Sequence, residues 1–204
     1  MHRVSIVIGK TIFWVLRRTG HTGSALPGLV VEKLNKNFLA QSLSQLPQGV
    51  FVISGTNGKT TTTKVVTKLL ESQGLRVLTN PTGSNFVRGI VSAVVDNAAS
   101  DGTLDYDIAV FEQDEAHAVH LAKRIKPRGV VLLNVMRDQM DRFGEIDTTV
   151  RLLQKLASSA KEVVILNAND ERVSTIAINE SAHKVWFSHG KDLTKEFLSD
   201  DQLY

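Results

Sequence analysis

The fold is decided by residues 50–63, which read VFVISGTNGKTTTT. The first four residues are apolar and mostly β-branched, a pattern typical of a buried strand. Gly55 interrupts this run, and Gly58 and Lys59 lead into a helical pattern with apolar residues at positions 65, 66, 69 and 70. Strand, glycine loop and helix stand in the order that a phosphate-binding loop requires. The stretch therefore predicts such a loop at the end of a strand.

The polar residues of this loop have predicted roles. Glycines at 55 and 58 let backbone N–H groups turn inward without a Cβ clash. Lys59 is expected to contact the β- and γ-phosphates of ATP, and the Thr60 hydroxyl to ligate Mg²⁺. A generic phosphate loop has a glycine five residues before Gly58, where this chain has Ile53, so the motif is a short form. The alternative is a strand-to-helix turn that carries Gly-Lys-Thr without binding phosphate.

The rest of the chain predicts an α/β fold with a mostly parallel sheet and helices on both faces. Short β-branched runs alternate with helical patterns of about ten to fifteen residues, which is the signature of such a sheet. We expect an N-terminal helix and loop region at 1–46 that packs on the core. A central ATP-binding domain is expected at 47–190, followed by a polar tail at 191–204.

The N-terminal segment has two interpretations. Residues 4–16 are rich in apolar side chains, and Val4, Ile8, Ile12, Val15 and Leu16 recur near helical spacing. This spacing predicts an amphipathic helix that packs on the body of the protein. The rival interpretation is a helix that lies on a membrane surface, which the aromatic residues at 13–14 and the arginines at 17–18 favour.

Composition excludes several classes of site and partner. The 204 residues include no cysteine, which excludes disulfides, zinc–thiolate sites and a thiol nucleophile in this chain and fits a reducing cytoplasm. Aromatic residues make up 6% of the chain and do not alternate with basic ones, so nucleic acid is not expected as a partner. The apolar N-terminal run is shorter than the ~20 residues that a membrane-spanning helix needs.

Polar clusters follow three further predicted strands. Ligands of parallel α/β folds lie at the carboxyl ends of the strands, and Glu112 ends a strand there, so it is the expected second contact for Mg²⁺ or its waters. Asp114 is either a site residue or the N-cap of the following helix. Residues 134–144 hold two aspartates and two arginines, which indicates either a site for charged ligands or a solvated loop. Residues 167–170 either contact a nucleotide or cap a helix at Glu171.

The order and spacing of these motifs resemble the central ATPase domain of the Mur ligase superfamily. The finer resemblance is to its MurT branch, the ligase-like subunit of lipid II isoglutaminyl synthase. It rests on the GSALPG loop at 23–28, the four threonines at 60–63, TGSN at 82–85 with Arg88 and Gly89, Glu112 with Asp114 and Glu115, and RDQMDRFGE at 137–145.

The resemblance implies a ligase that activates a carboxylate with ATP as an acyl phosphate, which an amine then attacks. It implies nucleotide contacts from Gly55, Thr56, Asn57, Gly58, Lys59, Thr60, Thr61, Asn85, Asn134 and Asn167. It further implies that Lys59, Asp138 and Arg142 are catalytic and that Thr60 and Glu112 hold Mg²⁺. Asn85 and the loop from Asp138 to Arg142 are expected on the acceptor and phosphate side.

The MurT branch amidates the α-carboxyl group of D-glutamate in the stem peptide of lipid II, in peptidoglycan synthesis. The resemblance therefore implies a lipid-linked muropeptide substrate and a partner, a GatD-like glutamine amidotransferase that supplies ammonia. A cytoplasmic location follows, at the inner face of the membrane where such a substrate lies.

The chain also departs from the family pattern. Gln139 stands where many amino-acid-adding Mur ligases have histidine, and Lys155 is near in sequence to the lysine that those ligases carbamylate. The zinc ribbon, the later nucleotide-holding segment and the C-terminal domain of the family have no counterpart before Tyr204. The central domain is therefore expected to be incomplete at its C-terminus. Two alternatives stay open: a nucleotide-binding module without independent catalysis, and another Mur or folylpolyglutamate-type ligase.

Overall fold

The computed structural model describes residues 2–19, 26–80, 86–136 and 145–189, which form one six-stranded sheet with flanking helices. The helices are α1 (His2–Arg18), α2 (Leu26–Leu34), α3 (Phe38–Leu43), α4 (Lys59–Ser72), α5 (Val87–Asn97), α6 (Glu115–Ile125), α7 (Glu145–Ala157) and α8 (Glu171–Ser174). The strands are β1 (Val50–Ser54), β2 (Val77–Thr79), β3 (Ile108–Glu112), β4 (Gly129–Leu132), β5 (Val163–Asn167) and β6 (His183–Phe187).

The sheet has the strand order β2-β3-β1-β4-β5-β6, and every pair of neighbours is parallel. Alternate residues of the central strand β1 point to opposite faces. Val50 and Val52 belong to the larger core, against which α6 and α7 pack. Phe51 and Ile53 face a smaller core under α4. The predicted α/β fold, with helices on both faces of a parallel sheet, is confirmed.

Helix α1 packs against α2 and α5, and its packed face overlaps only partly with the expected one. Of the positions expected to pack, Val4 is 60% and Val15 46% exposed. The buried residues of α1 are instead Ser5, Ile6 and Gly9. Ile8, Ile12 and Leu16, which were also expected to pack, are half-buried. The apolar spacing therefore predicted the helix correctly and its buried face in part.

Small side chains explain the actual face of α1. Helix α1 contacts α2 and α5. A Cβ atom on Gly9 would lie 2.6 Å from a methyl group of Val95 on α5 and 2.9 Å from one of Val31 on α2. Glycine thus permits a helix approach that no larger residue fits without displacing its neighbours. Hydrophobic periodicity does not detect a packing face made of glycine and serine.

The mixed apolar periodicity of residues 29–39 predicts a single helix, but the structure has two helices there. The side-chain oxygen of Asn35 accepts a hydrogen bond from the backbone N–H of Asn37 at 3.1 Å. Such a local turn competes with helix continuation. Helix α2 therefore ends at Leu34, and α3 begins at Phe38.

The sequence predicts a strand over residues 105–112, whereas β3 begins at Ile108. The carboxylate of Asp107 accepts hydrogen bonds from the backbone N–H of Arg76, at 2.8 Å, and from its guanidinium. These bonds, first those from the guanidinium, lower the pKa of Asp107 and tie the segment before β3 to the residue before β2. In the part of the chain that the structure describes, no helix has the length and apolar character needed to cross a membrane.

Candidate nucleotide-binding site

The loop between β1 and α4 lies where connections from adjacent strands lead to opposite sides of the sheet. From β1 the chain passes through α4 to β2, beyond β3, whereas from β3 it passes through α6 to β4, on the other side of β1. In parallel α/β sheets such a switch point, at the carboxyl ends of the strands, is the usual ligand site. Residues 55–58 occupy this position, directly after β1.

Two glycines give the loop its shape. Gly55 has φ of 138° and Gly58 has φ of 82°, values that residues with a Cβ rarely adopt. A Cβ on Gly55 would also lie 2.9 Å from the backbone nitrogen of Asn134. Gly58 directly precedes α4, so the unpaired N–H groups at the start of that helix face the loop. The arrangement is a cradle for an anion, and the sequence alone indicated it.

Asn134, predicted as a nucleotide contact, is bonded to the loop itself. Its side-chain oxygen accepts from the backbone N–H of Asn57 at 2.8 Å, and its side-chain NH₂ donates to the Asn57 carbonyl at 3.1 Å. Its own carbonyl accepts from the N–H of Thr56 at 3.0 Å, while the Thr56 hydroxyl accepts from the N–H of Met136 at 3.1 Å. The end of β4 thus holds the loop in place, and Asn134 acts here as a positioning residue.

Lys59 lies within the loop. Its ammonium donates to the carbonyls of Gly55, at 2.7 Å, and Thr56, at 3.1 Å. It also forms an ion pair with a carboxylate oxygen of Asp114 at 3.2 Å. Asp114 stands at the N-cap position of α6, but its side chain makes no capping hydrogen bond. Of the two interpretations of Asp114, the structure thus favours a site residue.

Thr60 and Glu112, the two residues predicted to hold Mg²⁺, are in contact. The Thr60 hydroxyl donates to one carboxylate oxygen of Glu112 at 3.0 Å. Glu112 is only 3% exposed, and its second carboxylate oxygen has no hydrogen-bond partner among the described residues. A buried carboxylate oxygen without a donor is costly unless a cation balances it. Hydroxyl and carboxylate oxygens are the donors that Mg²⁺ takes, so the residues present fit this ion.

Sequence reasoning missed Asn80, which fixes the position of Glu112. Its side-chain NH₂ donates to the Glu112 carbonyl at 3.1 Å, and its side-chain oxygen accepts from the Glu112 N–H at 3.0 Å. Asn80 lies directly after β2, so it meets the end of β3 only because these strands are neighbours. The sequence offered one signal: Asn80 stands directly after a strand and before a loop rich in turn-forming residues.

A family comparison adds to this geometry. Residues 53–202 match the model of the Mur ligase middle domain, which covers more than half of the chain. The chain belongs to the Mur ligase family. It is 37% identical over 162 residues to the protein named lipid II isoglutaminyl synthase (glutamine-hydrolyzing) subunit MurT of Staphylococcus aureus strain COL. It is 38% identical over 167 residues to the subunit of the same name from Streptococcus pneumoniae.

These relatives are much longer than the chain. The alignments cover 79% and 81% of the chain but 36% of each relative. A crystal structure of the Thermotoga maritima Mur ligase MurF, in complex with ADP, superposes with a TM-score of 0.61 at 22% identity. That superposition covers 78% of this chain and 36% of MurF, and it supports the fold.

The last polar cluster braces this Mur ligase loop from the next strand. Asn167, predicted as a nucleotide contact, donates from its side chain to the Leu133 carbonyl at 2.8 Å. Asp170 accepts from the N–H groups of Arg172 and Val173, which confirms the expected cap of α8. Its other carboxylate oxygen accepts from the N–H of Val135 at 2.8 Å. The cluster therefore ties the ends of β4 and β5 together.

Other expected Mur ligase site residues are placed less fully. Thr61 is exposed in the first turn of α4. Asn85, Asp138, Gln139 and Arg142 lie outside the described residues, so their roles stay predictions. Lys155 lies in the last turn of α7, which leads to the amino end of β5. That end is opposite to the phosphate loop, so Lys155 is not the counterpart of a carbamylated lysine at the site.

We expect Asp114→Asn to strengthen the binding of Mg²⁺-free ATP by about two- to fivefold, the range of a partly exposed ion pair. The reason is that phosphates and the Asp114 carboxylate compete for the same ammonium of Lys59. Calorimetric titration at constant ionic strength measures the change. Glu115→Gln, which removes a neighbouring negative charge at the start of α6, is the matched control. Weaker binding by the asparagine variant would contradict the competition and indicate that Asp114 helps hold the ligand.

Proposed function

We propose that this chain is the nucleotide-binding part of an ATP-dependent, amide-forming ligase of peptidoglycan synthesis. Its substrate would be a lipid-linked muropeptide, in which the α-carboxyl group of D-glutamate becomes an amide. A GatD-like glutamine amidotransferase subunit would supply the ammonia. The support is the 37–38% identity to two subunits whose names contain lipid II isoglutaminyl synthase and glutamine-hydrolyzing. Since the chain spans 36% of those relatives, the activity belongs to the whole protein.

One observation carries the proposal: Lys59, Thr60 and Glu112 converge at the carboxyl end of the central strands. The ammonium of Lys59 lies in the loop, and the Thr60 hydroxyl contacts the buried carboxylate of Glu112. An ammonium group, a candidate anion cradle and a carboxylate suited to Mg²⁺ thus lie around one point, which supports the proposal. Phosphoryl transfer from a nucleoside triphosphate needs these three elements, because its catalysis consists mainly of positioning and charge stabilisation.

The residues act at the first step of the proposed reaction. A carboxylate oxygen of the muropeptide attacks the γ-phosphorus of ATP, the bond to the β-γ bridging oxygen breaks, and ADP leaves with that electron pair. Lys59 and the N–H groups of the loop stabilise the negative charge that develops on the phosphate oxygens. Thr60 and Glu112 would hold Mg²⁺, which when bound neutralises charge on the β- and γ-phosphates.

The second step forms the amide. The nitrogen of ammonia attacks the carbonyl carbon of the acyl phosphate, inorganic phosphate departs with the bridging oxygen, and a proton leaves the nitrogen. Water excluded from the site would otherwise hydrolyse the acyl phosphate. The described part of the chain supplies the loop for the first step, and the remainder of the protein is required for acceptor binding.

The test uses the complete gene product with its amidotransferase subunit, ATP, glutamine and a muropeptide labelled with ¹⁸O in the D-glutamate carboxylate. We expect ¹⁸O in the released inorganic phosphate. With unlabelled muropeptide, the amidated product should be one mass unit lighter than the substrate. Ammonium chloride should replace glutamine and the amidotransferase. Label in AMP, or no amide despite ATP binding, would overturn the proposal, and the second outcome would indicate a nucleotide-binding module without catalysis.

A further inference from the structure

Helix α1 exposes an apolar stripe on the side opposite its packed face. The stripe consists of Val4, Val7, Trp14 and Val15, of which Val4 is 60%, Val7 51% and Trp14 56% exposed. Their spacing of three, seven and one residues places all four on one side of a helix with 3.6 residues per turn. Single exposed apolar residues are ordinary, but four on one side of a helix, interrupted on that side by Thr11, indicate an interaction surface. We call these four residues the α1 stripe.

The charge of the same helix is of one sign. The sequence of α1 contains four arginine and lysine residues and no acidic residue. On the helical arc, Arg3 and Lys10 border the stripe and Arg18 lies within it, one turn after Trp14. Two neighbouring acids offset part of this charge: Asp96 pairs with Arg17 at 2.8 Å, and Asp101 is in electrostatic range of Arg3. A surplus of positive charge remains along the stripe.

An aromatic and a basic side chain are already paired at the end of the stripe. The guanidinium carbon of Arg18 lies 4.2 Å from the centre of the Trp14 ring. That of Arg17 lies 5.6 Å from the ring centre of Phe13. Tryptophan and arginine both combine an apolar body with a polar end, which suits the boundary between lipid chains and headgroups.

The stripe is held in one orientation by the opposite face of α1. Gly9 fits closely between Val95 and Val31. At the start of the helix, His2 stacks on Phe38 with ring centres 5.2 Å apart and shares a hydrogen bond of 2.8 Å with the Ser42 hydroxyl. Because the helix is already folded and oriented, binding through the stripe requires little ordering of the chain.

We propose that α1 docks this protein on an anionic lipid surface, lying in the plane of the headgroups with the α1 stripe inserted. The apolar stripe, whose charged neighbours on its own helix are all basic, is complementary to such a surface, where anionic headgroups lie above acyl chains. A protein partner would need an apolar groove rimmed by acids, and the stripe offers such a partner no acidic hydrogen-bond acceptor. The inference is independent of the nucleotide chemistry proposed above.

The binding test is sedimentation of the protein with vesicles of phosphatidylcholine alone and of phosphatidylcholine with a quarter phosphatidylglycerol. We expect the protein to sediment with the anionic vesicles, to dissociate as salt is raised, and to remain free of the neutral ones. The double variant Val7→Ser with Trp14→Ser should reduce the partition coefficient by at least about tenfold. The matched control, Val65→Ser with Leu69→Ser, removes two exposed apolar residues from α4 and should bind like the wild type.

A fluorescence measurement distinguishes a lipid surface from a protein occupant. The chain has two tryptophans, so a Trp186→Phe background reports Trp14 alone. Anionic vesicles should shift its emission to the blue and protect it from iodide. Emission that is blue-shifted and protected before vesicles are added, and unchanged by them, would show that protein covers the stripe and would overturn the proposal. Equal sedimentation of the wild type and the stripe variant would overturn it too, provided that both bind Mg-ATP equally and are therefore folded.

Discussion

Lys59→Ala is expected to weaken Mg-ATP binding by about 100-fold, because the variant loses charge-assisted hydrogen bonds of about 1.5–3 kcal/mol each. In the structure the ammonium of Lys59 lies at the centre of the loop, bonded to the carbonyls of Gly55 and Thr56. Those are neutral acceptors, which the phosphates of a nucleotide would replace with stronger, charged ones. Isothermal titration calorimetry with ATP, ADP and AMP measures the loss. AMP has no β- or γ-phosphate, so its affinity should change little.

Two comparisons make this result specific. Lys68→Ala removes an exposed lysine from the same helix, where it pairs with Glu71, and should leave ATP affinity unchanged. Thermal unfolding of the ligand-free Lys59 variant shows whether the loop depends on the lysine for its own structure. If wild type and Lys59→Ala bind ATP equally while Lys68→Ala also has no effect, the loop is a strand-to-helix turn that does not bind phosphate.

The sequence identified the residues of this site but not how they support one another. The loop, Thr60 and Glu112 were predictable because each follows a strand and carries a side chain with defined chemistry. Asn80 was not, since its contact with Glu112 depends on the side-by-side pairing of β2 and β3. For Asp114 both a cap and a site residue were possible from sequence. Only the ion pair with the Lys59 ammonium, seen in three dimensions, favours a site residue.

The fold was predictable wherever apolar periodicity carries the information. The sequence predicts a helix over residues 115–125, ended by Pro127, and α6 has these bounds. Strand β1 follows from its four apolar residues. Periodicity identified the buried face of α1 only in part, because the small residues Gly9 and Ser5 pack there beside Ile6. The valines that suggested a buried face are the ones that the structure exposes. These two, Val4 and Val15, belong to the proposed lipid-binding stripe together with Val7 and Trp14.

The loops after β1, β4 and β5 form one connected unit. Asn134 holds the phosphate loop, Asp170 holds the backbone after β4, and Asn167 holds the end of β4 at Leu133. Each link is a side chain of one loop bonded to the backbone of another, so a shift of any loop breaks hydrogen bonds in the next. Preorganisation of this kind keeps donors aimed at the position where charge develops. Two predicted nucleotide contacts, Asn134 and Asn167, thus serve the site through its geometry.

Glu112→Gln is expected to lower the affinity of the ATP complex for Mg²⁺ by at least about tenfold, since a neutral amide replaces a carboxylate donor. Binding of Mg²⁺-free ATP should be unchanged or tighter, because a negative charge near the phosphates is removed. ATP titrations at several Mg²⁺ concentrations separate the two effects. Glu112→Asp, which keeps the charge on a shorter side chain, is the matched control and should retain part of the Mg²⁺ dependence.

Without ligands, Glu112→Gln should be more stable than the wild type, although it binds Mg²⁺ less well. Glu112 is 3% exposed and one of its carboxylate oxygens has no partner among the described residues, so the native state contains a buried negative charge that is only partly compensated. Replacing it with an amide removes the cost of burying that charge, and thermal unfolding without Mg²⁺ should occur at a higher temperature. Adding Mg-ATP should raise the unfolding temperature of the wild type by more than that of the variant. A variant that is less stable without ligands and equally stabilised by Mg-ATP would show that Glu112 has a structural role and does not hold the ion.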